Sequence, residues 1–304
     1  MERTDTSCAL CGVKLKNPFI AASGTFGFGR EFDRLYDISC WGGISVKGLT
    51  LKAREGNPPH RIAETASGIL NSVGLQNPGI EAFINDELPW LAAKGTAIIA
   101  NIAGGTEEEY VEIARRLSDA SVDIVELNIS CPNVKEGGVR FGTSPSSAAR
   151  IVGAVRKACR QPLMAKLSPN VTDIASIAKA AEEAGADAIS LINTLTGMAI
   201  DARTRAPVLA NVTGGLSGPA VKPVALRMVY ETSRAVSVPV VGMGGIMTGE
   251  DAAQFMIAGA AAVMVGTANI ADPMSGPRII AEFEKFLADY NIKSLGALVG
   301  SLKT

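Results

Sequence analysis

The segment VPVVGMGGIMTGEDAAQFMIAGAAAVMVGTA, residues 238–268, contains two apolar runs on either side of a helical pattern. The runs VPVVGMGG (238–245) and AAVMVGT (261–267) are short and rich in β-branched residues, which is typical of buried parallel strands. Thr248 and Asp251 are suited to cap the start of the intervening helix. The segment therefore predicts a strand–helix–strand unit whose strands both end in glycine.

Six further runs of the same kind precede this unit along the chain. They are FIAASG (19–24), GISVKG (43–48), AIIANIAG (97–104), IVELNIS (124–130), LMAKLS (163–168) and AISLINT (188–194). Eight strands alternating with amphipathic helices, without a linker between them, predict one TIM barrel domain of the (β/α)8 class over residues 1–304. An open doubly wound sheet is the alternative.

Several helices carry start and stop signals in the sequence. Thr106 and Glu109 have the spacing of a capping box, and Ser144 stands before a proline at the first helical position. Thr172 is predicted to open the helix TDIASIAKAAEEA, and Gly185 to close it.

The composition excludes several classes of function. Among 304 residues, 47% are hydrophobic, so a large core can form and global disorder is not expected. Lys and Arg total 29 against 30 Asp and Glu, and aromatic residues make up 5%, which argues against nucleic-acid binding. The one histidine, His60, leaves little material for histidine metal sites or histidine-based triads, and no metal is expected.

The cysteines and the apolar runs bear on the compartment. No run reaches the roughly 18 apolar residues that a membrane span requires, and no signal peptide is recognisable, so we expect a cytoplasmic protein without a membrane partner. Five scattered cysteines do not suggest a disulfide framework. Cys8 and Cys11 form an isolated CxxC, which favours two incidental thiols over a metal or redox site.

Two intervals between strands are longer than the rest, one after the second strand and one after the sixth. They contain TASGILNSVGLQNPG and TLTGMAIDARTRAPVLANVTGGLSGPAVKP. Both follow the carboxyl end of a strand, where barrel enzymes build their active sites. We expect long glycine-rich loops that act as lids over a substrate.

Polar residues end several of the apolar strands. Lys47, Asn101, Asn128 and Asn193 stand at strand ends, and Lys166 lies inside the fifth run. Any one asparagine is explained by a strand-end hydrogen bond, but together these groups predict a polar ligand at one barrel mouth. Lys166 has no acidic neighbour in sequence, so its partner is either a distant carboxylate such as Glu126 or a bound anion.

The last two strands predict a phosphate site. Gly244-Gly245 and Gly266-Thr267 follow the seventh and eighth strands, the recurrent phosphate position of this architecture. Met247 stands where a dinucleotide fingerprint needs its third glycine, which favours a mononucleotide or a sugar phosphate.

Cys131 follows the fourth strand directly in NISCPNVKEGG, residues 128–138. A thiol at the barrel mouth is a candidate base or nucleophile if nearby positive charge stabilises its thiolate. Cys40 and Cys159 lie away from strand ends and are expected to be inert.

Long motifs in a fixed order now identify a resemblance. SVKGLT, ILNSVGLQNPG, ELNISCPNVKEGG, the 194–222 segment, GMGGI and MVGTA resemble class 1 dihydroorotate dehydrogenases, specifically the catalytic subunit of the NAD-linked branch, class 1B. The resemblance covers nearly the whole chain. It implies an FMN-binding barrel that oxidises (S)-dihydroorotate to orotate in pyrimidine biosynthesis. It also implies a homodimer core within a heterotetramer, with FAD and a 2Fe–2S cluster on a partner subunit that passes electrons to NAD.

The same resemblance assigns roles to individual residues. Cys131 is implied as the base that removes the C5 proton while a hydride passes to FMN, under a closing loop over 131–143. The implied FMN contacts are Ser23, Lys47, Gly48, Asn101, Asn128, Lys166, Ile192, Gly218, Gly244, Gly245, Gly266 and Thr267. The implied substrate contacts are Lys47, Asn71, Ser72, Val73, Gly74, Leu75, Asn128, Asn193 and Thr194.

Three alternatives remain open from the sequence. A fumarate-linked homodimeric dehydrogenase would share the half-reaction without a partner. A Schiff-base lyase barrel would use Lys166 as its nucleophile and the glycines for a sugar phosphate. A non-catalytic binding barrel would leave Cys131 and Lys166 without a purpose.

Overall fold

Eight parallel strands form a closed barrel in the computed structural model, which describes residues 4–130 and 141–303. Each strand pairs with the next along the chain, and the eighth pairs with the first through Val263 and Phe19. All eight predicted strands are confirmed, and the open doubly wound sheet is wrong. The barrel strands are Phe19–Ala21, Gly43–Ser45, Ala97–Ile102, Ile124–Asn128, Leu163–Lys166, Ala188–Leu191, Val240–Met243 and Ala262–Val265.

Helices surround the barrel and bury their apolar faces against the outer side of the strands. The longer ones are Glu107–Leu117, Pro145–Ala158, Ile174–Glu183, Lys222–Ala235, Gly249–Ile257 and Ser275–Asp289. Shorter helical segments are Arg30–Asp33, Ile80–Ala82, Leu88–Ala92 and Thr267–Ala271, a π-helical turn at Phe83–Glu87, and 3-10 turns at Ile38–Cys40, Pro219–Val221 and Leu295–Ala297. None of the helices in the described ranges is long and apolar enough to cross a membrane.

The predicted helix caps are mostly confirmed. Ser144 caps Pro145–Ala158, and Thr248 forms a reciprocal capping box with Asp251. The prediction that Thr172 opens the helix Ile174–Glu183 is wrong. Asp173 is the cap, and its Oδ1 accepts a hydrogen bond from the Ser176 N–H at 3.0 Å. A carboxylate is an equally good cap one residue closer to the helix, and a capping pattern in sequence does not distinguish the two.

A short amino-terminal hairpin closes the bottom of the barrel. Its strands, Cys8–Leu10 and Val13–Leu15, flank a two-residue turn at Cys11 and Gly12 in which both φ angles are positive. Leu10 and Leu15 are fully buried and pack with the apolar side chains that fill the barrel interior. The hairpin is therefore part of the core.

The isolated CxxC lies on this hairpin. Burial raises the pKa of the Cys8 thiol to about 11, and burial together with the Asp187 charge raises that of Cys11 to about 12. Both thiols are free, and Cys11 Sγ donates to the Asp187 carbonyl oxygen at 3.3 Å. In the described part of the chain no three metal-ligating side chains cluster.

The two long intervals meet above the barrel in one antiparallel sheet, here called the lid sheet. It consists of Leu195–Met198, Thr213–Ser217, Gly68–Asn71 and Ile62–Thr65, in that order. The expectation of loops is thus wrong for these stretches. Each interval forms a pair of strands, and the inner strands of the two pairs bond to each other, as Leu216 does with Leu70. A smaller hairpin, Ile200–Asp201 with Ala206–Pro207, extends from the sheet.

Candidate active site

A cavity lies at the carboxyl ends of the barrel strands, beneath the lid sheet. The barrel contributes its floor and the lid sheet contributes residues of both long intervals to its roof. Its wall includes these sequence-predicted residues: Ser23, Lys47, Gly48, Asn71, Val73, Gly74, Leu75, Asn101, Asn128, Lys166, Ile192, Asn193, Thr194, Gly218, Gly244, Gly245, Gly266 and Thr267.

Among the predicted residues that the structure describes, Ser72 alone is not a wall residue. Ser72 is buried behind the wall, where its hydroxyl accepts a hydrogen bond from Asn57 Nδ2 at 3.1 Å. Asn71 and Val73 line the cavity, whereas the Ser72 side chain between them is bonded to Asn57. Cys131 and most of the predicted 131–143 loop lie outside the described residues.

A fully buried carboxyl group, Glu126, underlies the cavity floor. Its oxygens accept hydrogen bonds from Ser45 Oγ at 2.7 Å, Asn101 Nδ2 at 2.6 Å and Ser190 Oγ at 2.7 Å. The donors come from the second, third and sixth barrel strands. Since alternate strand residues share a face, this network lies one layer below Lys47, Asn128 and Ile192.

Lys166 is the last residue of the fifth strand, rather than inside it, and is 5% exposed. It lies between Asn128 and Ser190 on the neighbouring strands. Within the described residues Lys166 makes no hydrogen bond or ion pair, and the Glu126 oxygens are engaged by neutral donors instead. Of the two partners considered from the sequence, a bound anionic or electron-rich group fits this arrangement.

Amide groups on the floor are held by one another. Asn193 Nδ2 donates to Ser130 Oγ, and the Ser130 hydroxyl donates to Asn128 Oδ1 at 2.6 Å. Asn193 Oδ1 accepts from the Thr194 N–H at 2.7 Å. Side chains fixed in this way present donors and acceptors in a defined direction, which favours a small ligand rich in amide and carboxylate groups.

The glycine pairs form a second wall of the cavity. The backbone N–H groups of Gly245 and Gly266 have no backbone partner among the described residues, as a phosphate-binding loop requires. A Cβ at Gly245, where φ is +79°, would lie 2.8 Å from the Gly218 carbonyl oxygen. At Gly266 a Cβ would meet no described atom closer than 3.6 Å, so the open space there is available to a ligand.

Asp251 holds the loop after the seventh strand in place. Its Oδ2 accepts from the N–H groups of Met247 and Thr248, both at 2.9 Å, and its Oδ1 accepts from Lys222 Nζ at 2.5 Å. Burial acts to raise the pKa of Asp251, but the Lys222 and Met247 hydrogen bonds outweigh it and leave that pKa below its usual value. The loop is therefore anchored to the helix Gly249–Ile257 and to the end of the second long interval.

Sequence reasoning missed several wall residues that come from the lid sheet. Ile62, Ile69 and Leu216 supply apolar surface, and Ser217 supplies a hydroxyl. Thr267 Oγ1 donates to Ser217 Oγ at 2.9 Å, which joins the lid sheet to the loop after the eighth strand. Nothing in the TGGLS run marks its serine, because only the pairing of the two intervals brings it over the cavity.

The donor set fits the flavin mononucleotide that the resemblance implies. Lys166 is a buried cation without a described anionic partner, and Asn101 Oδ1 is buried without a hydrogen-bond donor. The glycine loops would receive a phosphate, and the apolar wall of Ile192 and Val221 would accept part of a ring system.

Known proteins resemble this chain over nearly its whole length. The chain matches the dihydroorotate dehydrogenase family over residues 6–287. A protein of Citrifermentans bemidjiense named dihydroorotate dehydrogenase B (NAD(+)), catalytic subunit, is 55% identical over the whole length of both chains. Proteins of the same name from Geobacter sulfurreducens and Alkaliphilus oremlandii are also 55% identical, over 100% and 99% of this chain and all of their own length.

Proposed function

This chain belongs to the dihydroorotate dehydrogenase family, and we propose that it is the catalytic subunit that oxidises dihydroorotate to orotate in pyrimidine biosynthesis. The observation that carries the proposal is the ammonium of Lys166, which is buried among amides at the barrel mouth and has no partner among the described residues. A buried cation is costly unless something compensates it. A flavin ring that gains negative charge on reduction is such a partner.

Of the residues proposed to hold FMN, one group contacts the flavin ring and another binds the phosphate. Lys166, Asn101 and Asn128 on the floor face the ring, and Lys166 stabilises the charge that develops there. Gly244, Gly245, Gly266 and Thr267, with Gly218 opposite, receive the phosphate on backbone N–H groups. Ser23, Lys47, Gly48 and Ile192 complete the cradle. When bound, FMN supplies the two-electron acceptor for the hydride that leaves substrate C6.

The remaining wall residues are proposed to bind and orient dihydroorotate. Lys47 offers a cation to the substrate carboxylate, and Asn128 and Asn193 offer amide groups to its ring. Thr194 and the segment 71–75, in which Ser72 supports the wall from behind, place the substrate under the lid sheet. The apolar lid residues exclude water from the reacting face.

Cys131 is proposed as the base that takes the C5 proton onto its sulfur. It immediately follows Ser130, whose hydroxyl is bonded to two cavity asparagines, Asn128 and Asn193. Ser130 therefore lies at the edge of the site. The single histidine, His60, does not line the cavity. A thiolate at position 131 is therefore the base best supported by the sequence.

The name shared by the relatives, catalytic subunit, supports a partner. We propose a partner that carries FAD and a 2Fe–2S cluster and reduces NAD, in a cytoplasmic heterotetramer built on a homodimer of this chain. The sequence itself contains no dinucleotide fingerprint and no four-cysteine iron–sulfur pattern. This supports placing NAD reduction on the partner.

Anaerobic titration tests the proposal. Purified protein is expected to absorb near 450 nm and to bleach when dihydroorotate is added. NAD should restore the colour only together with the partner; restoration by fumarate alone would point to the homodimeric branch. A colourless protein that borohydride links to a sugar phosphate through Lys166 would replace the proposal with a Schiff-base lyase.

A further inference from the structure

Ser217 lies where the lid sheet meets the glycine loops of the barrel. It is the last residue of the lid strand Thr213–Ser217, is half-buried, and lines the cavity. The next residue, Gly218, packs so closely on Gly245 that a Cβ on Gly245 would lie 2.8 Å from the Gly218 oxygen. The lid strand thus ends against the loop after the seventh barrel strand.

The hydroxyl of Ser217 has a defined orientation. Thr267 Oγ1 donates to Ser217 Oγ at 2.9 Å, so one lone pair of the serine oxygen is occupied. A hydroxyl group is also a donor, and Ser217 donates to no group in the described ranges. Its proton is therefore available to a ligand in the cavity.

The surroundings indicate an anion as that ligand. Gly245 and Gly266 offer backbone N–H groups without backbone partners on the same wall. The carboxylate of Asp251, in the first turn of the helix that follows this loop, is occupied by Lys222 and two backbone donors. Donors thus converge on the space between Ser217 and the glycine loops.

We propose that Ser217 is a specificity-determining residue that donates its hydroxyl proton to the phosphate of FMN, with Thr267 orienting it. This inference rests on the proposed function, since it names a further contact to the same cofactor. It implies that the lid sheet takes part in cofactor binding in addition to covering the substrate. A purely structural serine would tie the lid to the barrel without distinguishing FMN from riboflavin.

Titration of flavin-free protein with FMN and with riboflavin separates these possibilities. Ser217→Ala should weaken FMN binding about tenfold, the usual effect of losing a hydrogen bond to a charged group, and change riboflavin binding less than about twofold. Thr267→Val should likewise reduce the ratio of FMN affinity to riboflavin affinity. Thr267→Ser, which keeps the hydroxyl, should leave that ratio unchanged. Thr213→Ala, at the exposed start of the same strand, is the matched control and should change neither affinity.

Equal weakening of both flavins by Ser217→Ala, or no change in either, would overturn the inference. Retained riboflavin binding also demonstrates that the variant is folded. If the wild-type chain binds neither flavin, the proposed function fails as well. If the wild-type chain binds both flavins and Ser217→Ala leaves its preference for FMN over riboflavin unchanged, the proposed function stands and this inference alone is wrong.

Discussion

Asn101 Nδ2 lies 2.6 Å from Glu126 Oε2, in a barrel interior where both side chains are completely buried. With Ser45 and Ser190 this pair forms a polar layer between an apolar base and the cavity. The layer connects strands that are far apart in sequence. It therefore fixes the relative positions of the residues that form the cavity floor.

Removal of the Glu126 carboxyl should destabilise the fold. Glu126→Ala leaves three buried donors without an acceptor, and we expect the free energy of unfolding to fall by about 3 kcal/mol or more. Glu126→Gln retains one acceptor oxygen, so the free energy of unfolding should fall by about half as much. Urea unfolding measures both. Glu183→Gln, on an exposed helix end, should stay within about 0.5 kcal/mol of wild type, and an equally stable Glu126→Ala protein would contradict the assignment.

Loss of the Asp251 charge should loosen the loop after the seventh strand. Asp251→Asn is expected to lower the free energy of unfolding at pH 7 by about 1–2 kcal/mol, because the charged member of the capping box and its ion pair with Lys222 are lost. The pKa of Asp251 is lowered on folding, so its contribution is present above about pH 4 and is lost as the pH falls further. Wild type and variant should therefore converge in acid.

Urea unfolding at pH 7 and at pH 3 checks this prediction. The neighbouring Glu250→Gln removes an exposed acid from the same first turn and serves as the control. A stability difference that is unchanged at pH 3 would assign the effect to packing rather than to charge.

The amino-terminal hairpin should contribute to stability without affecting the site. Leu10→Ala removes a fully buried side chain from the base of the barrel, and we expect a loss of about 3 kcal/mol. Leu35→Ala, at a side chain that is 56% exposed, should cost less than about 0.5 kcal/mol. Flavin affinity should be the same in both variants. A Leu10→Ala protein with wild-type stability would show that the hairpin does not belong to the core.

The thiols of the hairpin should be unreactive near neutral pH. Folding raises the Cys8 pKa from 9.0 to about 11, so at pH 8 the thiolate fraction falls about a hundredfold. Alkylation by iodoacetamide, mapped by mass spectrometry, should modify Cys8 and Cys11 slowly in the folded protein and rapidly in urea. Because the folded thiols retain protons that the unfolded chain releases, stability should decline between about pH 9 and pH 11. Rapid modification of the folded protein at pH 8 would refute the burial argument.

The proposed base makes a kinetic prediction. Cys131→Ala should reduce steady-state dihydroorotate oxidation by more than tenfold, since general-base contributions are about 100-fold or more. The wild-type rate should rise with pH toward the pKa of the thiol. Cys159→Ala, a buried cysteine outside the site, is the control. A flat profile from pH 6 to 9, or activity within tenfold of wild type, would remove Cys131 from the mechanism.

The amino-acid sequence alone predicts the barrel, because a fully buried parallel strand must be a short apolar run, and eight such runs alternate with capped helices. It also indicates the side chains at the barrel mouth. Lys47, Asn128 and Lys166 are polar residues at the ends of apolar strands, and parallel strands of a barrel have their carboxyl ends on one side. These features are local in sequence.

The tertiary structure decided what depends on contacts between distant segments. Gly68–Asn71 and Thr213–Ser217 each pair with a strand of their own interval, but the four-stranded lid sheet forms only when these two strands also pair with each other. The same pairing brings Ser217, at the end of its strand, over the cavity and next to Thr267. Glu126 bonds neutral donors from three other strands, and the residue of its strand that lies opposite Lys166 is Asn128, an arrangement set by side-chain geometry in the closed barrel. Hydrogen bonds between residues far apart in the chain have no periodic signal, so they are determined only when the barrel and its lid are assembled.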